Sequence, residues 1–323
     1  MTLGDHTNFE AHFLFNPPSY PGHCHSATIL ETSEQDLLAA WYSYPDQETR
    51  DARLVISERR AGDQSWRTPR PLLLPQKSSV GNPTLFEDPA GKIWLFYVSL
   101  SGHYWDSALT RGASSADGGR TWSSPHAIWP APGLLVRHPP LAIAGGSLLL
   151  PAYEESPPRT VLLRAEPPYQ KWHEFYRFEG RELIQPVLLR RGADTIGLFF
   201  RPSGSSRKIW RSFSSNEGRS WSAPVQTSLP NPLSGIAAFH SEDRDTVVYN
   251  ASDRKRNQLS LSHSRNGGVS WSNAAILDSG DMEISYPAFT VGAAGWVHGV
   301  YTYNRRMIKY VKFPAAWWEP DTA

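Results

Sequence analysis

The sequence predicts an all-β fold, a six-bladed β-propeller of four-stranded antiparallel blades, and three observations carry that prediction. A turn template, Ser-x-Asp/Asn-x-Gly-x-x-Trp, occurs three times, at residues 115–122, 214–221 and 264–271. Degenerate copies at 60–66 and 166–172 keep the tryptophan, so Trp66, Trp122, Trp172, Trp221 and Trp271 fall 56, 50, 49 and 50 residues apart. Pairs of apolar, β-rich segments recur six times along the chain, and a strand-built unit of that length is the blade period.

Each element follows in order. Inner strands begin near HSATIL (25–30), NPTLFE (82–87), PPLAIA (139–144), IQPVLL (184–189), GIAAFH (235–240) and YPAFTV (286–291). Second strands begin near LLAAWYSY, IWLFYVS, LLLPAYE, TIGLFFR, TVVYNAS and WVHGVYTY. In the fourth unit IWRSFSS is the third strand and WSAPVQT the outer one. The sixth unit has no turn template or outer strand after MIKYVKF, so FEAHFLF, residues 9–15, is expected to supply it and close the ring. Closure removes the exposed edges of the first and last sheets. In the template, Asp or Asn folds onto the backbone two residues on, Gly supplies a positive φ, and Trp anchors the hairpin on its sheet. These Asp and Asn residues shape turns and are not expected to catalyse.

Composition narrows the function. The 323 residues carry 32 basic and 31 acidic side chains, a balance that excludes a nucleic-acid sleeve or a polybasic membrane patch. One cysteine, Cys24, excludes an intramolecular disulfide and a thiolate-rich metal site. The first residues lack the basic and apolar regions of a secretory signal, so a cytoplasmic protein is expected, as a monomer or weak oligomer. With no linker or low-complexity segment, residues 1–323 read as one domain. Trp, Tyr and Phe each occur 13 times, and five of the tryptophans are accounted for by the turns.

In such a blade the start of the first strand and the end of the second lie at one face, so these positions from all units converge on the axis. They bring together His23, Cys24, His25, Asn82, Arg137, His138, Gln185, Ser234 and Tyr286 from the strand starts. The strand ends add Tyr42, Tyr44, Asp46, His103, Tyr104, Trp105, Asp106, Tyr153, Glu154, Glu155, Arg201, Tyr249, Asn250, Asp253, Tyr303, Asn304, Arg305 and Arg306. Acid–base chemistry needs neighbouring groups in a water-poor pocket. His25 is the first candidate for a base or acid. His23 two residues away would make a metal pair with it, but His-x-His without further ligands does not define a metal site, and none is expected. Tyr286, preceded by Glu283, is a candidate nucleophile or proton donor. Arg137, Arg201, Arg305 and Arg306 offer planar forks to a carboxylate. Tyr42, Tyr153 and Tyr249 alternate with apolar neighbours and read as packing between blades. Phosphate loops, zinc helices, nucleophile elbows and dinucleotide fingerprints are missing. No cofactor is required; an axial structural Ca²⁺ is the one cation that converging carbonyls and carboxylates suit.

The chain resembles the bacterial and fungal sialidase-like (neuraminidase-like) proteins with Asp-box, or BNR, repeats. The likeness runs from about residue 22 to about residue 313. Besides the turns it rests on His25-Ser-Ala-Thr-Ile29, Leu38-Ala-Ala-Trp-Tyr42, Gly81-Asn-Pro83, Gln185-Pro186, Leu229-Pro-Asn-Pro-Leu-Ser-Gly235, Ser285-Tyr-Pro287 and Tyr301-Thr-Tyr-Asn-Arg-Arg306. True sialidases carry Phe/Tyr-Arg-Ile-Pro on the first inner strand, where the Arg opens a clamp on the sialic carboxylate. Cys24-His25-Ser-Ala stands there instead. Losing a partner of a buried carboxylate costs on the order of 2–5 kcal/mol, which argues against sialoside hydrolysis. Tyr286 sits at a place resembling the sialidase nucleophile, with Glu283 or Glu154 as base. Relatives with a His-containing pocket look like lyases that remove rhamnose from glucuronic acid.

The resemblance thus implies an enzyme cleaving a terminal glycosidic bond beside an acidic, uronic-type sugar by elimination. His25 is then the base, Arg201 or Arg305 the enolate's cation, and Tyr286 or His138 the donor to the leaving oxygen. Arg137, Arg306, Asn82, Gln185, Glu154, Trp105 and Asn250 complete the expected binding set. The expected ligand is an acidic oligosaccharide or small molecule. The alternatives are an exo-sialidase with a Tyr nucleophile, a non-catalytic glycan- or protein-binding propeller, and a propeller recruited to small-molecule biosynthesis.

Overall fold

The computed structural model describes residues 8–15, 22–72, 74, 78–102 and 104–317. Six antiparallel sheets surround one axis, and among the described residues helix is confined to short 3₁₀ turns. Among the described residues no helix is long and apolar enough to cross a membrane. Blade I is built from His23–Glu31, Leu37–Tyr44, Arg53–Arg59 and Arg70–Pro71. Blade II runs Val80–Glu87, Ile93–Leu100, Ala108–Ser115 and His126–Ala127. Blade IV follows with Leu183–Arg190, Ile196–Pro202, Lys208–Ser214 and Val225–Pro230, and blade V with Ala237–Ser241, Arg244–Asn250, Gln258–Ser264 and Ala275–Ser279. Blade VI takes Ile284–Val291, Trp296–Tyr303 and Met307–Pro314, with Glu10–Phe13 as its outer strand. The N-terminal segment closes the ring as the sequence predicts, pairing Glu10 with Lys312 and Phe13 with Lys309.

Blade III departs from the expectation. Its inner strand does not run through PPLAIA but splits into Leu134–Val136 and Leu141–Ala142, both paired to Leu148–Glu155. Pro139 and Pro140 cannot donate to a ladder, so the strand breaks there, and Arg137 just before them reaches across to blade VI. Pro158–Ala165 and His173–Phe178 complete the blade.

The turn templates are side-chain clasps. The hydroxyls of Ser115, Ser214 and Ser264 accept from the backbone N–H of Gly119, Gly218 and Gly268 at 2.9, 2.8 and 2.7 Å. Asp117, Asn216 and Asn266 accept from the N–H four residues on, at 2.9–3.0 Å, a longer reach than the two residues expected. The tryptophans also differ from expectation, since they dock on the preceding blade. Trp66 packs edge-on against Tyr310 of blade VI, and Trp122 joins the blade I cluster around Leu38. Trp172 meets Phe96 of blade II, Trp221 meets Phe178 of blade III, and Trp271 meets Phe199 of blade IV. Apolar surface that a single sheet leaves uncovered is thereby buried between blades.

Candidate functional site

Four inner strands carry the same distortion at one face. Their pairing slips between His25 and Thr28, Gly81 and Thr84, Ile184 and Val187, and Ser285 and Ala288. In each bulge a residue adopts left-handed backbone geometry: Ser26 (φ 55°), Asn82 (φ 48°), Gln185 (φ 48°) and Tyr286 (φ 54°). Such conformations are costly for non-glycine residues and persist where surrounding contacts fix them, and a bulge re-aims a side chain off the pleat. Here the contacts form a polar belt from blade to blade. Thr302 Oγ1 accepts from Ser26 N at 3.1 Å, and Ser26 Oγ donates to Asn82 Oδ1 at 3.2 Å. Asn82 Nδ2 and Gln185 Nε2 then donate to the one hydroxyl of Tyr153, at 3.2 and 3.4 Å. Asn250, wholly buried, ties blade V to blade VI by donating to Ile284 O at 2.7 Å.

Tyr286 rises above this belt, partly open to solvent. Arg201 Nη1 donates to its hydroxyl at 3.0 Å. The guanidinium carbons of Arg137, Arg256 and Arg201 lie 5.7, 5.8 and 5.9 Å from its ring centre. Arg137 is 1% exposed, donates across the axis to the carbonyls of Tyr286 and Pro287, and leaves Nε and Nη1 unbonded. Burial lowers the pKa of its guanidinium to about 10.

His25 lies against the Tyr286 ring, centre to centre 4.3 Å, and edge-on to Tyr42 at 5.9 Å. It is 1% exposed, and both ring nitrogens are enclosed and unbonded. Burial first, then the charges of Arg305, Arg137, Arg256 and Arg201, hold its pKa well below the ordinary histidine value. The imidazole is therefore neutral, and of the two neighbouring rings the one partly open to solvent is that of Tyr286. His138, also buried, is kept neutral by burial and by Arg137.

The remaining expected residues divide. Arg305 is committed to two carboxylates, Glu283 at 2.9 Å through Nε and Glu48 at 2.9 Å through Nη1. Glu283 also accepts from Ser285 Oγ at 2.6 Å; burial raises its pKa, but these bonds outweigh that and hold it below the carboxylate norm. Trp105 packs its edge toward Tyr42 and over Gly81, where no Cβ would fit. Arg306 is exposed and turns away to Gly22 O at 3.3 Å. Glu154 points outward, paired with Arg159 at 2.7 Å and Arg177 at 3.1 Å. Strand alternation puts Tyr153 and Glu155 on the other face, so Glu155 is the carboxylate turned toward Arg201. Burial, with the charges of Glu48 and Asp106, raises the Glu155 pKa against the pull of Arg201. His103 lies outside the described residues.

Two residues that sequence reasoning missed belong here. Arg256 donates to Leu233 O at 2.6 Å and approaches Glu283 at 3.6 Å, yet it reads in sequence as the end of a charged loop after Arg254 and Lys255. Glu48, in the loop after the second strand of blade I, accepts from Tyr42 OH and stands 4.0 Å from His25 Nε2. Among the described residues no group of three His, Cys, Asp or Glu side chains is placed to hold a metal ion.

Fold and site together define a propeller whose blades gather three arginines around one tyrosine. A sequence model of the BNR repeat-like domain matches residues 35–298, and the chain belongs to that family. No curated protein matches it in sequence. Among solved structures it is similar to the Hadza microbial sialidase Hz136, with a TM-score of 0.80 at 16% identity over 94% of this chain and 68% of that one. It is similar to the intramolecular trans-sialidase from Ruminococcus gnavus, with a TM-score of 0.76 at 13% identity over 96% and 98%. A protein of unknown function from Dyadobacter fermentans matches with a TM-score of 0.77 at 14% identity over 96% and 100%. At these identities the likeness is one of fold.

Proposed function

We propose that this protein is a carbohydrate-active enzyme that cleaves a glycosidic bond beside an acidic, uronic-type sugar by elimination. The observation that carries the reading is the partner of the Tyr286 hydroxyl, a guanidinium and not a carboxylate. A tyrosine nucleophile needs a base to take its proton. Glu283 is occupied by Ser285 and Arg305, and the side chain across Gly235 from the Tyr286 ring is the amide of Gln185.

In the elimination, Arg201 and Arg256 pair with the sugar carboxylate and stabilise the enolate that develops when the α proton leaves. The α proton forms an O–H bond on Tyr286 as the tyrosine's own hydroxyl proton passes to a lone pair of the neighbouring neutral His25, so the pair takes up one proton. Tyr286 is partly open to solvent, and the burial and cations around His25 make the imidazole give the proton up again once the leaving oxygen has departed. The C–H electron pair becomes the carbon–carbon double bond, the bond to the leaving oxygen breaks, and Glu155 protonates that oxygen. A carboxyl raised in pKa suits the donor role.

The test offers the protein rhamnosyl-glucuronate ends and sialosides in parallel. An ultraviolet-absorbing unsaturated uronate from the first substrate supports the reading. Sialoside hydrolysis stopped by Tyr286→Phe would instead establish the exo-sialidase alternative, and binding without turnover a non-catalytic propeller.

A further inference from the structure

We infer that Glu48 is a positioning residue for His25, holding its imidazole in the tautomer with the proton on Nε2 and leaving the Nδ1 lone pair free to accept. The inference rests on the reading of the site given above, but its test needs no substrate. A neutral imidazole carries one N–H, and the hydrogen bond or charge nearest one nitrogen decides where it sits.

Around His25 the charged and titratable groups are Tyr42 and Glu48 from blade I, Arg137 from blade III, Arg201 from blade IV, Arg256 from blade V, and Tyr286 and Arg305 from blade VI. Four of these are cations and repel any proton the ring takes up. Among the described residues Glu48 is the carboxylate within ion-pair range, 4.0 Å from Nε2, and its own geometry is fixed on both oxygens. Tyr42 donates to Oε1, and Arg305 Nη1 holds Oε2 at 2.9 Å. Tyr42 is buried and cannot turn to water, so Oε1 is kept on the His25 side. With Nε2–H directed at Glu48, positive charge arriving at Nδ1 meets a counter-charge across the ring. Separations of this kind in a free site shorten when the reacting complex forms. Glu48 is also partly exposed where His25 is enclosed, which gives a proton held on the ring a way back to solvent.

Nitrogen NMR of ¹⁵N-histidine-labelled protein at neutral pH reads the tautomer directly, with His25 assigned by its loss in His25→Gln. The expected spectrum has Nε2 protonated and Nδ1 bare. In Glu48→Gln the ratio of the two tautomers should move at least fivefold toward Nδ1–H, while Glu48→Asp keeps the wild-type preference. A wild-type ring protonated on Nδ1 overturns the inference whether or not the variants fold. A Glu48→Gln spectrum identical to wild type also overturns it. Neither result depends on what substrate the protein uses, so loss of this inference and loss of the elimination reading are separate outcomes.

Discussion

Arg201 donates to the hydroxyl of Tyr286 at 3.0 Å, and this contact joins the second strand of blade IV to the inner strand of blade VI. It places a fixed positive charge on the oxygen where negative charge would gather during proton transfer. Preorganised charge of this kind needs no reorganisation when negative charge develops on the oxygen.

Removing that oxygen should be decisive. Tyr286→Phe keeps the ring packed on His25 and the three guanidiniums, and is expected to lower kcat by roughly 10²–10⁴-fold with KM little changed. Steady-state rates on a uronate-terminated glycan check this, and a variant retaining most of its kcat would remove Tyr286 from the chemistry.

Glu155 should act in its protonated form. Because burial raises its pKa, activity is expected to fall with rising pH later than an ordinary carboxyl would dictate. Glu155→Gln should abolish that limb of the pH profile and slow cleavage, with a better leaving group restoring much of the rate. Glu154→Gln, which loosens an outward ion pair, should leave the profile unchanged.

The belt beneath the pocket makes a stability claim. Tyr153→Phe removes the acceptor for both Asn82 and Gln185 and leaves two buried amides short of a partner, a loss of about 1–3 kcal/mol for each group. Urea unfolding measures it. A variant as stable as the wild type would show that the belt contributes nothing.

Acid should destabilise the fold through buried histidines. His298, 4% exposed and bonded to Tyr310, has its pKa lowered to about 4, chiefly by burial. A folded value below the unfolded one means the unfolded chain binds the proton more readily. The contribution is complete above about pH 6.5 and is lost as pH falls toward 4. The shift corresponds to as much as about 3 kcal/mol, so His298→Gln should flatten the drop in stability between those pH values.

The architecture was legible because turns repeat. The tryptophan spacing marks five blades, and the missing sixth template points to the N-terminal strand that closes the ring. What escaped was long-range. No local pattern says that Trp271 docks on Phe199 of the blade before it, or that Arg256 reaches Tyr286 from a charged loop. Two signals were present and unused. Asn82-Pro83, Gln185-Pro186 and Tyr286-Pro287 share an X-Pro step at the strand start, and each marks a bulge. Alternation from Tyr153 selects Glu155 over Glu154. The burial of His25 behind Tyr286 was not readable, because it depends on side chains from four other blades.

The most direct measurement is the mass of the sugar left when a terminal residue is cleaved from a uronate-bearing glycan. Elimination predicts a uronate lighter by one water than the hydrolysis product, carrying a new carbon–carbon double bond and absent with Tyr286→Phe. A saturated uronate, or a released sialic acid, would contradict it.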